Sequence, residues 1–539
     1  MQIRIPKQDD VKVHHILLAA ILLLSLLLQS YKLGWGLVTD NMGFNGLSAF
    51  HIVESRLVSI PYNMIQTGDL NPHFFDESSL FYNSMYLVFS IISKFVVIDS
   101  FTQYIWIARV MASVFTVCVV FLVYLIGKEV GNTNIGLYSA LLMALNPYYM
   151  WFSSIAKEDP MMVLFITLAM YLFIRYLKSK NPNDFFLTMA AAGFAVSTKY
   201  PAGIMLPFLM TLYIFYDKEP AISAKFEILA KSFGVYCIAF VVGTPYSVLA
   251  FREFLAGAVG ELGHYTTGHP GFDHFTWFVH VQTITGLWDA TNIWGKGGYG
   301  LTLVLLLAGL IMIPSQLKKE IEPCKSYMWY MLVGWISLSS ILFCFLISVK
   351  MGNQMMILTP AAMVVAGFGF EKMLAKIPSI HLKTIVGSVF ILLIFTYAAS
   401  GIVSSQNDNR YYAADWMLSN IEPELNLSIG TTLFVYIPDE FMRISILPVD
   451  VGYMEYLNFD YIILSSWEYE RYLESPETYP VESNFYSNVL AGNTIYKPIA
   501  HFERTETARQ RTLNFGLGAL MADEYGGEVD IHIFKRMRF

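Results

Sequence analysis

The sequence predicts a polytopic α-helical membrane protein with an α/β domain at its C-terminal end, and three observations predict it. Hydrophobic residues make up 55% of the 539 and charged residues 14%. With a mean hydropathy of +0.49, this is not the balance of a soluble enzyme. Apolar runs of spanning length, about 17–25 residues, recur as far as residue 402. Beyond about residue 404 charges return and the apolar runs shorten to strand length, as in TTLFVYIP, FDYIILSS and VDIHIF.

Charge and cysteine content exclude two classes. A net charge of -7 without a basic arm gives nucleic acid nothing to bind. Cys118, Cys237, Cys324 and Cys344 show neither CxxC nor Cys/His metal spacing.

The elements follow from apolar length and from Lys/Arg in the short loops, which mark the cytoplasmic side. Arg4, Lys7 and Lys12 precede the first run, which reads as a retained signal anchor at about 14–32 with its N-terminus cytoplasmic. Residues 33–101 then lie outside. Within them Tyr82–Val97 is short and interrupted by Ser90, Ser93 and Lys94, so it is laid along the outer interface. If it spanned, GKEV at 127–130 and RYLKSK at 175–180 would face outward, against the rule.

Further spans are expected at about 103–126, 134–152, 160–177, 184–198, 201–216 and 232–250. A large outer loop, 251–297, precedes spans at about 299–315, 327–349, 354–371 and 383–402. The count is about eleven, or up to about thirteen. Two domains result: a membrane domain over 1–403 and an extracytoplasmic α/β domain over 404–539, large enough for its own core. The expected location is the cell (plasma or inner) membrane.

This threading gathers unusual polar residues on the outer face. Asp40 and Asn41 follow the first span, Arg109 lies two turns inside the second, and Lys157, Glu158 and Asp159 cap the fourth. Lys199 and Tyr200 join the fifth and sixth, and His264, His269, Asp273 and His274 sit in the large loop. Each has a plain alternative: Asp159 before Pro160 fits a helix start, Lys157 and Lys199 can snorkel, and a loop histidine is ordinarily a surface residue. Arg109 is the hardest to dismiss, because intramembrane arginines are rare and face a polar partner or cavity. Together the group suits chemistry on a charged amphiphile: a carboxylate takes a proton from a hydroxyl nucleophile, and cations stabilise a phosphate leaving group.

The order of TDNMGFNGLSAF, GDLNPHFFDESSLFYNSMY, ARVMASVFTVCVVFLVYLIGKEVGN, IGLYSALLMALNPYYMWFSSIAKEDPMM and STKYPAG resembles the glycosyltransferases of GT-C fold. It is most similar to glycosyltransferase family 39 in the broad sense, the prokaryotic protein O-mannosyltransferase and aminoarabinose transferase group, over about residues 10–400. The resemblance implies sugar transfer, with inversion, from a polyprenyl-phosphate carrier to a protein, lipid or glycan acceptor outside the membrane. It implies Asp40 as the base or acceptor-positioning residue, Glu158 and Asp159 as the second acidic position, and Arg109 and Lys199 on the carrier phosphate, where Lys157 is a further candidate. Asn41, Tyr200, His264 and His269 are candidate substrate contacts. A divalent cation is left open, with Asp40 and Asp159 as candidate ligands.

Where many members carry Asp-Glu in the first loop this chain carries Asp40-Asn41, which weakens any role for a paired glutamate. The WWDYG signature of oligosaccharyltransferases is absent, which argues against bulk N-glycan transfer. The rival readings are a transporter or flippase of a lipid-linked or anionic solute, which predicts internal repeats and broken mid-membrane helices, and a non-catalytic scaffold.

Overall fold

The computed structural model describes residues 8–37, 49–146, 149–150, 153–216, 222–267, 298–320, 322–347, 352–404, 408–432, 435–442, 445–448, 458–474, 476–503 and 529–537. Asp40, Asn41, His269, Asp273 and His274 lie outside them, as does the side chain of His264.

The membrane part begins with α1 (Gln8–Ser30). Two helices of the first loop follow, α2 (Ile52–Thr67) and α3 (Leu80–Ile92). The bundle continues with α4 (Phe101–Val130), α5 (Thr133–Ala144), α6 (Asp159–Ser179), α7 (Pro182–Thr198), α8 (Met205–Tyr216), α9 (Ile222–Gly243) and α10 (Phe251–Thr267). Next come α11 (Gly298–Leu317), α12 (Pro323–Ile341), α13 (Thr359–Ala375) and α14 (Ile380–Ser404). Among the described residues four helices are both long and apolar enough to cross a membrane, those containing Lys12–Ser30, Phe101–Val130, Asp159–Ser179 and Ser223–Gly243. The chain is a multi-pass membrane protein.

Local chemistry sets the helix ends. Ser100 and Asn132 accept from the amides of Gln103 and Ile135 at the starts of α4 and α5, satisfying donors that a first turn leaves open. Pro160 and Pro182 stand in the first turns of α6 and α7, where a missing N–H costs nothing. Three expected spans differ in detail. The first helix in the span at 134–152 ends at Ala144, ahead of the Asn146-Pro147 pair, and Tyr149 and Met150 are again helical. The span at 201–216 opens as a 3-10 turn over Tyr200–Ile204, which holds Pro201 and Gly203. The span at 232–250 starts ten residues early, at Ile222, and ends at Gly243, ahead of Pro245, whose ring blocks continuation.

The bundle core runs through Val123, Tyr149, Ile166, Phe173, Trp329 and Trp335. α4 and α5 approach closely because Gly127 faces Gly136: a Cβ on Gly136 would lie 2.6 Å from the Tyr124 carbonyl oxygen. A second cluster seats the first loop on the bundle, packing Phe81, Tyr82, Met85 and Phe89 of α3 against Leu57 and Val58 of α2 and Ile105 and Ala108 of α4.

The C-terminal part starts with α15 (Asn409–Asn420). Its sheet has the order β2-β1-β3-β5-β4, with β1 (Ser428–Thr431), β2 (Ser445–Pro448), β3 (Tyr461–Ser465), β4 (Tyr496–Phe502) and β5 (Ile531–Arg536). β1 pairs parallel with β2 and β3, while β5 pairs antiparallel with β3 and β4. Strand alternation builds two cores. Tyr461 and Ile463 pack with Ile533 and Met417 of α15 on one face. Ile462 and Leu464 pack with Phe534, Tyr486 and Val489 on the other. A central strand buried on both faces reads as a continuous apolar run, which is the pattern of FDYIILSS.

Candidate active site

The SSIAKEDPMM stretch is a buried junction and not an exposed loop tip. Ser153, Lys157, Glu158 and Asp159 are all buried, at the start of α6. Beside them Lys199 ends α7, and Glu77 comes from the loop before α3.

The Lys199 ammonium lies among three carboxylates. It donates to Glu158 Oε1 in a short hydrogen bond and to Asp159 Oδ1 at 3.2 Å, with Glu77 Oε1 at 3.4 Å. Lys157 Nζ stands 3.6 Å from Asp159 Oδ2. Burial works against the Lys199 charge, but Asp159, Glu158 and Glu77 outweigh it and raise its pKa well above the ordinary lysine value. Burial likewise pushes the Glu77 carboxyl well up, against the pull of Lys199.

Among the described residues, Glu158 Oε2, Glu77 Oε2 and the Tyr82 hydroxyl are buried without a hydrogen-bond partner. Each such group costs on the order of 1–3 kcal/mol. Glu261 of α10 also senses this cluster: burial lifts its carboxyl to about 7, and Lys199 pulls it back. α10 is tied to the first loop at its other end, where His73 bridges Glu253 (2.8 Å) and Asp69 (3.1 Å).

Arg109 is fully engaged by the protein itself. Sequence reasoning sets it on a phosphate, but its Nε and Nη2 donate to Glu54 Oε1 and Oε2, both at 2.7 Å, and its Nη1 donates to the carbonyls of Leu33 and Trp35 at 2.9 and 2.5 Å. Both partners are fully buried, and Glu54 Oε1 also accepts from the Ala156 amide at 2.5 Å. The arginine thus joins α1, α2, α4 and the SSIAKED junction. Tyr200 is likewise engaged, its hydroxyl donating to the Phe75 carbonyl at 2.9 Å.

No three or more His, Cys, Asp or Glu side chains are gathered to hold a metal among the described residues. The Lys199 ammonium occupies the centre that a cation would need between Glu158, Asp159 and Glu77. These residues do not fit a divalent ion.

Four contributors escaped sequence reasoning. Glu54, in the apolar stretch IVESRLVSI, was legible as a buried acid awaiting a cation. Glu77 lies inside the FDESS motif, where nothing local separates it from Asp76, and Tyr82 and Glu261 carry no local signal.

Comparison with known proteins agrees with the architecture. Residues 83–246 match the family model described as dolichyl-phosphate-mannose-protein mannosyltransferase, a stretch that runs from α3 to just beyond α9 and includes Arg109, Glu158, Asp159 and Lys199. An uncharacterized protein of Aquifex aeolicus is 29% identical over 119 residues, a match that spans 22% of this chain and 24% of that protein. Among solved structures, the oligosaccharyltransferase AglB of Archaeoglobus fulgidus, in complex with an inhibitory peptide and a dolichol-phosphate, superposes with a TM-score of 0.57 at 11% identity. That match covers 98% of this chain and 89% of AglB. ArnT of Cupriavidus metallidurans, bound to undecaprenyl phosphate, gives 0.51 at 12% identity over 98% of both chains. The protein is therefore a polytopic membrane protein with the GT-C glycosyltransferase fold, as the sequence leads one to expect. The matched family model is described as a mannosyltransferase and AglB as an oligosaccharyltransferase.

Proposed function

We propose that this chain transfers a sugar from a polyprenyl-phosphate carrier to an acceptor on the extracytoplasmic face, with inversion. The observation that carries the reading is the buried group of Lys199, Glu158, Asp159 and Glu77, gathered from three separate segments at one end of the bundle. It belongs to a chain whose fold follows, nearly end to end, those of proteins solved with dolichol-phosphate or undecaprenyl phosphate.

Asp40 acts as the base that takes the proton of the acceptor hydroxyl. Lys199 and Lys157 supply positive charge to the departing phosphate, and Glu158 holds Lys199 in place. Charge developing on the leaving oxygen is stabilised best by groups already oriented and shielded from water. Arg109 is reassigned from phosphate contact to fixing the base of the first loop, since all three of its guanidinium nitrogens are engaged.

Deleting the gene and profiling extracytoplasmic glycans by mass spectrometry tests the reading. A defined sugar should disappear, return with the wild-type gene and stay absent with Asp40→Asn. An unchanged profile in the deletion would overturn it.

A further inference from the structure

One stripe of α10 is turned toward the protein. Phe254, Gly257, Glu261 and Tyr265 recur at helical spacing and are partly buried, while Phe251, Leu255, Val259 and Leu262 on the other side are exposed. The inner stripe is seated at Gly257. A Cβ there would lie 2.8 Å from both the carbonyl carbon and the Cβ of Phe75, so any larger residue pushes the helix and the first loop apart. Beside this contact the Phe254 ring meets those of Phe75, Phe240 and Tyr200 at 5.8, 6.1 and 6.4 Å. At the start of the helix, Asn71 and His73 donate to the Glu253 carboxylate at 2.9 and 2.8 Å, an exposed tie that contributes little alone.

Phe75 has no room to retreat. It is buried, and its carbonyl accepts from the hydroxyl of Tyr200, the chain neighbour of Lys199, at 2.9 Å. Two residues on, Glu77 Oε1 stands 3.4 Å from the Lys199 ammonium. The seat therefore adjoins the cluster, and one turn past Gly257 the inner stripe carries Glu261. Lys199 of the α7 end, Asp76 and Glu77 of the first loop, Glu158 at the start of α6 and Arg56 of α2 are the charges that act on its carboxyl. Glu77 and Lys199 also act on Tyr265, a turn further on.

We infer that α10 is a wall of the donor site, in which Glu261 faces the carrier phosphate at Lys199 and Gly257 is the positioning residue that seats it there. This rests on, and deepens, the reading of Lys199 as a phosphate partner. Burial lifts the Glu261 carboxyl to about 7. Below that pH it carries its proton and leaves the ammonium to the phosphate. Above it, one more anion beside Lys199 opposes the phosphate. Affinity for the carrier thus falls as pH rises through about 7.

The test measures the Kd of the full chain for undecaprenyl phosphate in detergent, in the wild type and in Glu261→Gln. The ratio of the two Kd values cancels the ionisation of the ligand and of His73, which are common to both proteins. It should be close to one at about pH 6 and about ten-fold, weaker in the wild type, at about pH 8.5. In a Gly257→Ala background the same ratio at the higher pH should fall to about one, the coupling that a double-mutant cycle reads. Amide exchange around Glu261 should quicken in Gly257→Ala. Alanine is the better helix former, so faster exchange reports lost seating and not a weaker helix.

A ratio near one at both pH values overturns the inference. So does a ten-fold ratio that persists in the Gly257→Ala background, or exchange that Gly257→Ala leaves unchanged. If Gly257→Ala fails to fold, the Glu261→Gln ratio alone decides. A wild-type protein that binds no undecaprenyl phosphate at either pH would sink the functional reading instead, so the two failures are distinguishable.

Discussion

Arg109 and Glu54 form a closed bidentate pair in the protein interior, with both contacts at 2.7 Å and neither side chain exposed. Such a pair offers nothing to a ligand but fixes whatever its spare donors reach, here the carbonyls of Leu33 and Trp35. Arg109→Leu or Glu54→Leu leaves one buried charge uncompensated and should cost about 3–5 kcal/mol of stability. The measurement is folded yield and melting temperature in detergent. A stable Arg109→Leu protein that has lost only affinity for polyprenyl phosphate would restore the phosphate-binding role.

Lys199 is the common partner of Glu158, Asp159 and Glu77, so its removal leaves carboxylates facing one another. Lys199→Met should lower the melting temperature and abolish transfer. Adding Glu158→Gln removes one of those charges and should recover part of the stability but none of the activity. A double-mutant cycle on both readouts measures the coupling. Independent, additive effects on stability would contradict the cluster.

Glu261 predicts a pH dependence. Its folded-state pKa is raised by burial from 4.5 to about 7, so the folded protein favours the protonated form. The stabilisation is complete below about pH 4.5 and is lost as pH rises through about 7. Melting temperature measured across this window should fall less steeply in Glu261→Gln than in the wild type. Parallel curves would refute the assignment.

The orientation of the bundle is tested by labelling. Leu425, in the C-terminal part, is 97% exposed, and Lys180, between α6 and α7, is also exposed. A membrane-impermeant thiol reagent applied to intact cells should modify Leu425→Cys and spare Lys180→Cys. The reverse pattern would place the site on the other side of the membrane.

Much of this was legible in the sequence. Spanning helices announce themselves by apolar length, so the segments at 103–126, 160–177 and 184–198 coincide with α4, α6 and α7 within a few residues. The strand-length runs FDYIILSS and VDIHIF coincide with β3 and β5, whereas TTLFVYIP shares only Thr431 with β1 and its other described residues are not strand. Prolines and glycines set the departures, at Asn146-Pro147, Tyr200–Ile204 and Thr244-Pro245. Partner choice was not legible. Arg109 reads as a cation seeking an anion, but nothing local says that the anion is Glu54 and not a phosphate. Lys199 and Glu158 were each visible, whereas Glu77 joins them only through the packing of the first loop on the bundle.

The most direct test of the central claim is sugar transfer by the reconstituted protein from the extracted lipid-linked donor, comparing wild type with Asp40→Asn. Loss of a general base should slow turnover by about 10²–10⁴-fold, with melting temperature and binding of undecaprenyl phosphate unchanged. An Asp40→Asn protein that turns over at the wild-type rate would contradict the account.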